Sequence, residues 1–183
     1  MKQLLKLCCS LVISLATIVL HAQEKQPLIG QPAPSFTLKG LDGNDYSLAQ
    51  MKGKLILIHF ATTWCPFCNA EAPNLEQLYQ SYKNKGVVVL LIDVKEGKEL
   101  VSQSTKRFAF SFPVLLDTAG KVAATYAPAD VLPDLARDEV ALASNLIIDK
   151  EGKVRFYSLL NTTSFDAKLT KATQKLDELL HQP

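Results

Sequence analysis

The feature that most constrains this chain is an apolar run, Leu55-Ile56-Leu57-Ile58-His59-Phe60, that leads within a few residues into Trp64-Cys65-Pro66-Phe67-Cys68. The run reads as a buried strand. Pro66 suits the opening of a helix, so the strand should pass into a helix that holds Cys65 at its N-terminus. Unpaired backbone N–H groups and the helix dipole favour negative charge at that point. Cys65 should therefore ionise more easily than a free thiol. Cys68 sits one turn further on, within reach of a disulfide formed at Cys65. A stabilised thiolate beside a second thiol is the equipment of dithiol/disulfide exchange.

The cysteine count sharpens this reading. The chain has four cysteines, and Cys8 and Cys9 fall inside an apolar leader. Lys2 and Lys6 precede Leu7–Leu20, and Leu20-His21-Ala22 offers a cleavage site, so residues 1–22 read as a secretory signal. Contact with a membrane is expected only if that signal stays attached. Cleavage leaves Cys65 and Cys68 as the sole thiols, exported to a periplasm or cell envelope. In an oxidising compartment a lone close pair is a reactive pair or a small staple. A staple closing so few residues restrains little chain entropy, which favours the reactive pair. His59 and His181 are the only histidines beyond residue 22, and Asn69 follows Cys68. A four-ligand metal site lacks partners and a haem-attachment motif is absent. The expected cofactor is none beyond a redox-active Cys65–Cys68 disulfide.

Charge excludes other classes. The formal net charge is +2, and without Lys2 and Lys6 the chain carries 18 basic against 18 acidic residues. That balance gives no reason to expect nucleic acid as a partner.

Residues 23–31 read as a polar linker and 32–183 as one domain. Ser35–Leu38 and Tyr46–Leu48 flank the turn signal Leu41-Asp42-Gly43-Asn44, an N-terminal hairpin. Residues 66–83 read as a helix interrupted by Pro73 and ended by Gly86. Val87–Val94 is a second continuous apolar run, typical of a central parallel strand. Helices are expected over 99–108 and 119–126, with a strand opening at Pro113–Leu116 between them. A last hairpin spans Asn145–Asp149 and Lys153–Leu159, and a helix capped by Thr163 or Ser164 is expected over 164–181, its apolar stripe starting at Phe165. Strands alternating with helices and closing in a hairpin predict an α/β fold with a mixed sheet flanked by helices.

With these residues in place, the chain resembles the thioredoxin fold in its exported TlpA/ResA-like branch, within the wider redoxin and AhpC/TSA superfamily. The resemblance rests on Gly30-Gln31-Pro32-Ala33-Pro34-Ser35-Phe36, Leu41-Asp42-Gly43, Gly53-Lys54, the stretch Trp64–Pro73, and Ile147–Val154. C-x-x-C-x-x-E-x-P is far more specific than C-x-x-C alone. The resemblance implies Cys65 as an exposed nucleophile, Cys68 as a shielded resolving thiol, Glu71 as a carboxylate near the pair and Trp64 as a flanking aromatic. It implies protein disulfide or dithiol substrates and a membrane or envelope electron donor; a monomer is expected. Two departures stand out. The family's cis-proline position falls on Ala143, where a cis bond would cost about 3 kcal/mol, so a trans bond is expected. The buried carboxylate six residues before the first cysteine is replaced by His59.

Several residues carry two readings. Glu71 is a base for Cys68 or a solvated glutamate favoured by the helix dipole. His59 is a proton carrier behind Cys68 or, as its apolar neighbours favour, a buried neutral histidine with one hydrogen bond. Thr62, three residues before Cys65, fits part of a peroxidatic motif, although Ile58 stands where that motif has proline. Trp64 and Phe67 form an apolar rim or pack inward. Residues 127–144 form a lid over the thiols or a tolerated insertion. Asp93 lies at a strand's C-terminal end, where open α/β sheets place their sites, or serves in a salt bridge or turn cap. The expected function is thiol-disulfide oxidoreduction. The alternatives are a thiol peroxidase and a binding module or thiolate metal site on the same frame.

Overall fold

The computed structural model describes residues 28–161 and 163–182. The expected signal at 1–22 and residues 23–27 of the linker lie outside these described residues. Leu28–Gln31 precede the first strand and are fixed to the far hairpin: Gly30 N–H donates to the Val154 carbonyl at 2.8 Å, and Val154 N–H to that of Gln31 at 2.9 Å.

Seven strands form one mixed sheet. They are β1 (Thr37–Gly40), β2 (Asp45–Ser47), β3 (Leu55–Ala61), β4 (Val87–Val94), β5 (Val114–Asp117), β6 (Ser144–Ile148) and β7 (Val154–Ser158). The spatial order is β2-β1-β5-β4-β3-β6-β7. β4 runs parallel to β3 and β5, while β6 is antiparallel to β3 and β7. The helices are α1 (Pro66–Tyr82), α2 (Lys98–Phe108), α3 (Lys121–Tyr126), α4 (Arg137–Val140) and α5 (Thr170–Leu180). Among the described residues no helix is long and apolar enough to cross a membrane.

The central strand explains its own composition. Every residue of β3 is buried. Leu55 and Leu57 pack with Leu75 of α1 and Leu176 of α5 on one face, while Ile56, Ile58 and Phe60 pack with Ala123 and Tyr126 of α3 on the other. A strand covered on both sides cannot alternate polar with apolar residues. His59 therefore interrupts the layer that carries α1, the helix of the cysteines.

The C-terminal helix begins six residues later than expected, at Thr170, and neither Thr163 nor Ser164 caps it. Leu169 takes a left-handed backbone conformation ahead of it, with φ +56°. Asp166 instead accepts the Lys171 N–H at 2.9 Å. Phe165 is thereby released from the helical stripe and packs edge-on against Phe67, ring centroids 5.0 Å apart. The 127–144 segment is organised by Arg137, whose guanidinium donates to the carbonyls of Pro128, Val131, Leu132 and Leu135.

Candidate active site

The end of β3 turns through Thr62-Thr63-Trp64 into α1. Glu96 holds this turn by accepting from the Thr63 N–H and hydroxyl. Asn69 reaches back from α1 to the Thr63 carbonyl at 3.1 Å. Cys65 is the residue that caps α1, and Pro66 occupies the first turn. The Cys65 Sγ accepts the Cys68 N–H at 3.2 Å. That backbone donor would stay aimed at the sulfur as a thiolate, which is the stabilisation a helix start offers. The two cysteines are joined as a disulfide, Cα atoms 5.3 Å apart.

One expectation needs correcting. Cys65 was to be exposed and Cys68 shielded, yet both are 4 % exposed in the disulfide. Helix polarity places a sulfur at the N-terminus but does not decide what covers it. Beside it opens an apolar groove of about 610 Å³, lined by Trp64, Cys65, Phe67, Leu132, Leu135 and Leu160. Trp64 stands 67 % exposed at its edge. The 127–144 segment contributes a wall of this groove. Phe67 is half-buried against Phe165, so it supports the rim from below.

Behind the bridge lies a buried polar cluster. Glu71, three residues after Cys68 and so on its side of α1, is 3 % exposed. A solvated glutamate is therefore ruled out. Asn145 donates from Nδ2 to both Glu71 oxygens at 3.2 Å. His59 Nδ1 lies 3.0 Å from Asn145 Oδ1 and 3.2 Å from Glu71 Oε2. Asn145 and His59 are direct partners in the β3–β6 register, which brings them together. Burial pushes the Glu71 carboxyl up to about 7, against the lowering effect of the Asn145 hydrogen bond, with the Asp166 charge adding to the rise. Burial also pulls the His59 imidazole down to about 4. The His59–Glu71 contact is thus a hydrogen bond to a neutral imidazole at neutral pH rather than an ion pair. His59 donates from Nδ1, and its Nε2 is buried without a protein partner.

The other flank of Cys68 is different. Thr62 and Asp93 line a small cavity of about 20 Å³ beside it. Thr62 Oγ1 and Asp93 Oδ1 have no protein partner there. Asp93 makes no ion pair with a basic side chain; its carboxyl meets the Glu96 backbone N–H three residues on, which fits the turn-capping reading. Burial and the neighbouring Glu96 charge raise its carboxyl to about 9. Ala143 sits in the same apolar cluster as the cysteines with φ +55°, and its N–H donates to the Phe60 carbonyl at 2.8 Å. Among the described residues every peptide bond is trans, and no group of three His, Cys, Asp or Glu side chains converges on a metal position.

Sequence reasoning missed Asn145, Asp166 and Glu96. Asn145 had a signal: like His59 it is a polar residue set in an apolar strand, and the two strands are neighbours.

Residues 29–157 match the model of the AhpC/TSA family. The chain is 35% identical over 133 residues to the thiol-disulfide oxidoreductase ResA of Bacillus cereus, covering 73% of this chain and 70% of that protein. It is 33% identical over 151 residues to the Bacillus subtilis protein of the same name, covering 82% and 78%. Among solved structures, a protein assigned as a disulfide isomerase from Bacteroides thetaiotaomicron superposes with a TM-score of 0.68 at 27% identity, covering 84% of this chain and 91% of that one. A thiol:disulfide interchange protein from Chlorobium tepidum superposes with a TM-score of 0.65 at 24% identity, covering 81% and 95%.

Proposed function

This chain belongs to the AhpC/TSA family and is a thiol-disulfide oxidoreductase of thioredoxin-like fold, and from that premise we propose that Cys65 is its nucleophile, Cys68 its resolving thiol and Glu71 the proton acceptor for Cys68. The observation that carries this assignment is the Cys68 N–H donated to the Cys65 Sγ at the head of α1, with a buried carboxyl three residues further on.

The Cys65 thiolate attacks one sulfur of a substrate disulfide, and the other substrate sulfur leaves with the bonding electrons and takes a proton from water. Glu71 accepts the proton of Cys68. The Cys68 sulfur then bonds to the Cys65 Sγ, and the second substrate sulfur departs. The product is a reduced substrate and the Cys65–Cys68 disulfide, which a donor dithiol recharges by the reverse sequence. A carboxyl poised near 7 takes up and releases a proton readily at neutral pH. No cofactor beyond the cysteine pair enters. His59 and Asn145 hold Glu71 from behind, and Trp64, Pro66 and Phe67 shape the ground around Cys65. The Ala143 N–H is committed to Phe60, so a bound peptide is held by the apolar groove more than by pairing there.

Substrates are other exported proteins, the protein works as a monomer in the periplasm or envelope, and an envelope dithiol supplies its electrons. The relatives named as oxidoreductases support the chemistry, and the basic-then-apolar stretch at residues 1–22 supports export. Peroxidase chemistry is disfavoured because Thr62 lines the cavity beside Cys68 and not the groove beside Cys65. The test is trapping. Cys68→Ser should accumulate mixed disulfides through Cys65 with envelope proteins, read by mass spectrometry, and Cys65→Ser should accumulate none. Equal trapping by both variants would reverse or abolish the assigned roles.

A further inference from the structure

The 127–144 segment has a charge pattern that the mechanism leaves unused. It carries four acidic residues, Asp130, Asp134, Asp138 and Glu139, and one basic residue, Arg137. Arg137 is engaged by the loop carbonyls, and Lys95 pairs with Asp138. Asp130, Asp134 and Glu139 stand exposed, with no ion-pair partner among the described residues. Glu139 forms part of the wall of the apolar groove. It is the only charged side chain among the described residues that line it. Once the pair is reduced, the Cys65 thiolate adds a second negative charge there.

The groove gathers most of the exposed apolar surface of the molecule. Five large apolar side chains stand exposed among the described residues, and three of them, Trp64, Leu132 and Leu135, edge this groove. Apolar area concentrated at one place marks a binding surface. Cys65 lies in the same wall. A substrate sulfur that meets the Cys65 Sγ therefore brings its neighbours in the chain onto Trp64, Leu132, Leu135 and Glu139. Main-chain pairing at Ala143 does not compete, since that N–H is held by Phe60. The side chains that flank the substrate cysteine then decide how well a disulfide is seated.

We propose that the groove selects disulfides whose cysteine is flanked by one large apolar residue and one lysine or arginine, the apolar side chain seating between Trp64, Leu132 and Leu135 and the cation meeting Glu139. This names the substrate class of the site described above and rests on Cys65 as its nucleophile. A lysine or arginine suits the place because its aliphatic stem covers apolar surface while its charged end reaches a carboxylate at the margin. A flanking aspartate or glutamate meets that carboxylate and the Cys65 thiolate as like charges. The cation also lowers the pKa of the substrate thiol, and such a thiol leaves faster. That last effect belongs to the substrate alone and is measured separately.

The test uses disulfide-linked dimers of short capped peptides. Their cysteine is flanked by leucine and lysine, leucine and glutamate, or alanine and lysine, each in both orders. The reduced protein reacts once with a peptide disulfide, giving the Cys65–Cys68 disulfide and two peptide thiols, which chromatography follows. Each rate constant is divided by that of the same peptide with dithiothreitol, which removes intrinsic reactivity. In the better order, the leucine–lysine peptide should react about tenfold faster than leucine–glutamate, the size of one attraction replaced by one repulsion at a surface. It should react about fivefold faster than alanine–lysine, as expected for partial burial of the larger side chain. Glu139→Gln should bring the first ratio close to one and Glu139→Lys should invert it, while both keep the second ratio. Equal normalised rates in either comparison overturn the proposal, as does a first ratio that Glu139→Lys leaves in place. A dimer in sedimentation that Leu135→Asp dissolves would assign the groove to a second copy of this chain and overturn it too. A wild-type protein that reduces none of the peptides overturns the roles of the cysteines instead, a separate failure.

Discussion

The two sides of the Cys65–Cys68 bridge are unlike. The Cys65 side is apolar and open, a groove edged by Trp64, Leu132 and Leu135, all exposed. The Cys68 side is polar and closed, with His59, Glu71, Asn145, Thr62 and Asp93 all buried. Apolar surface recognises by area and shape without regard to protonation, so the open side can accept varied protein partners. Buried ionisable groups cannot stay charged cheaply. On the closed side burial therefore disfavours the charged forms of both His59 and Glu71. The difference separates recognition from proton handling across a single disulfide.

The strongest way to break this comparison is Glu71→Gln. Glutamine can still receive one Asn145 hydrogen bond but cannot take a proton from Cys68. Reduction of insulin should slow about a hundredfold, within the range of lost acid–base catalysis. The limb of the pH–rate profile near 7 should vanish with it. A variant within twofold of wild type, with that limb intact, would make the closed side a structural feature only.

The same cluster makes a prediction about stability. Glu71 has its folded value raised to about 7, so its contribution is fully present below the ordinary glutamate range and is lost as pH rises through about 7. His59 is shifted the other way, to about 4, so its contribution is present above the ordinary histidine range and is lost as pH falls through about 4. Between pH about 4.5 and 6.5 the two slopes oppose each other. Glu71→Gln should expose the His59 slope, making stability rise with pH over that window relative to wild type by on the order of 2 kcal/mol. His59→Phe should expose the opposite slope. Urea unfolding at a series of pH values measures both, and parallel profiles for the three proteins would show that neither group contributes the slope assigned to it.

How far the sequence reaches differs between the same two sides. The strand–Cys65–helix junction was legible because it is local: an apolar run, a proline and a thiol spacing of one turn. That the sheet is mixed followed from two apolar runs and a closing hairpin; the order of its strands did not. Glu71 was singled out by its distance from Cys68, but whether it was wet or buried depended on Asn145, 74 residues away in the chain. The start of α5 misled for a related reason. Thr163 and Ser164 are good caps in isolation, but Asp166 takes the backbone bond and Phe165 is drawn to Phe67. The groove beside Cys65 was equally invisible, because one wall comes from residues 131–142, a segment that reads as irregular or partly helical and lies far from Cys65 in the chain.

That segment supplies the smallest and most selective test of the comparison. Arg137 is half-buried and donates to four carbonyls of the loop that walls the groove, from 2.6 to 3.2 Å. It touches neither sulfur, nor Glu71, nor His59. Arg137→Ala leaves those carbonyls to water and lets Leu132 and Leu135 leave their places beside Trp64. The loss of charged hydrogen bonds of this kind costs about 1–3 kcal/mol locally, and the part felt in docking should raise KM for insulin about fivefold. The kcat and the pH profile should stay as in wild type, because the proton-handling side is untouched. A fall in kcat with a displaced pH profile would mean that the open side of the bridge reaches into the chemistry, and that the two sides are one site after all.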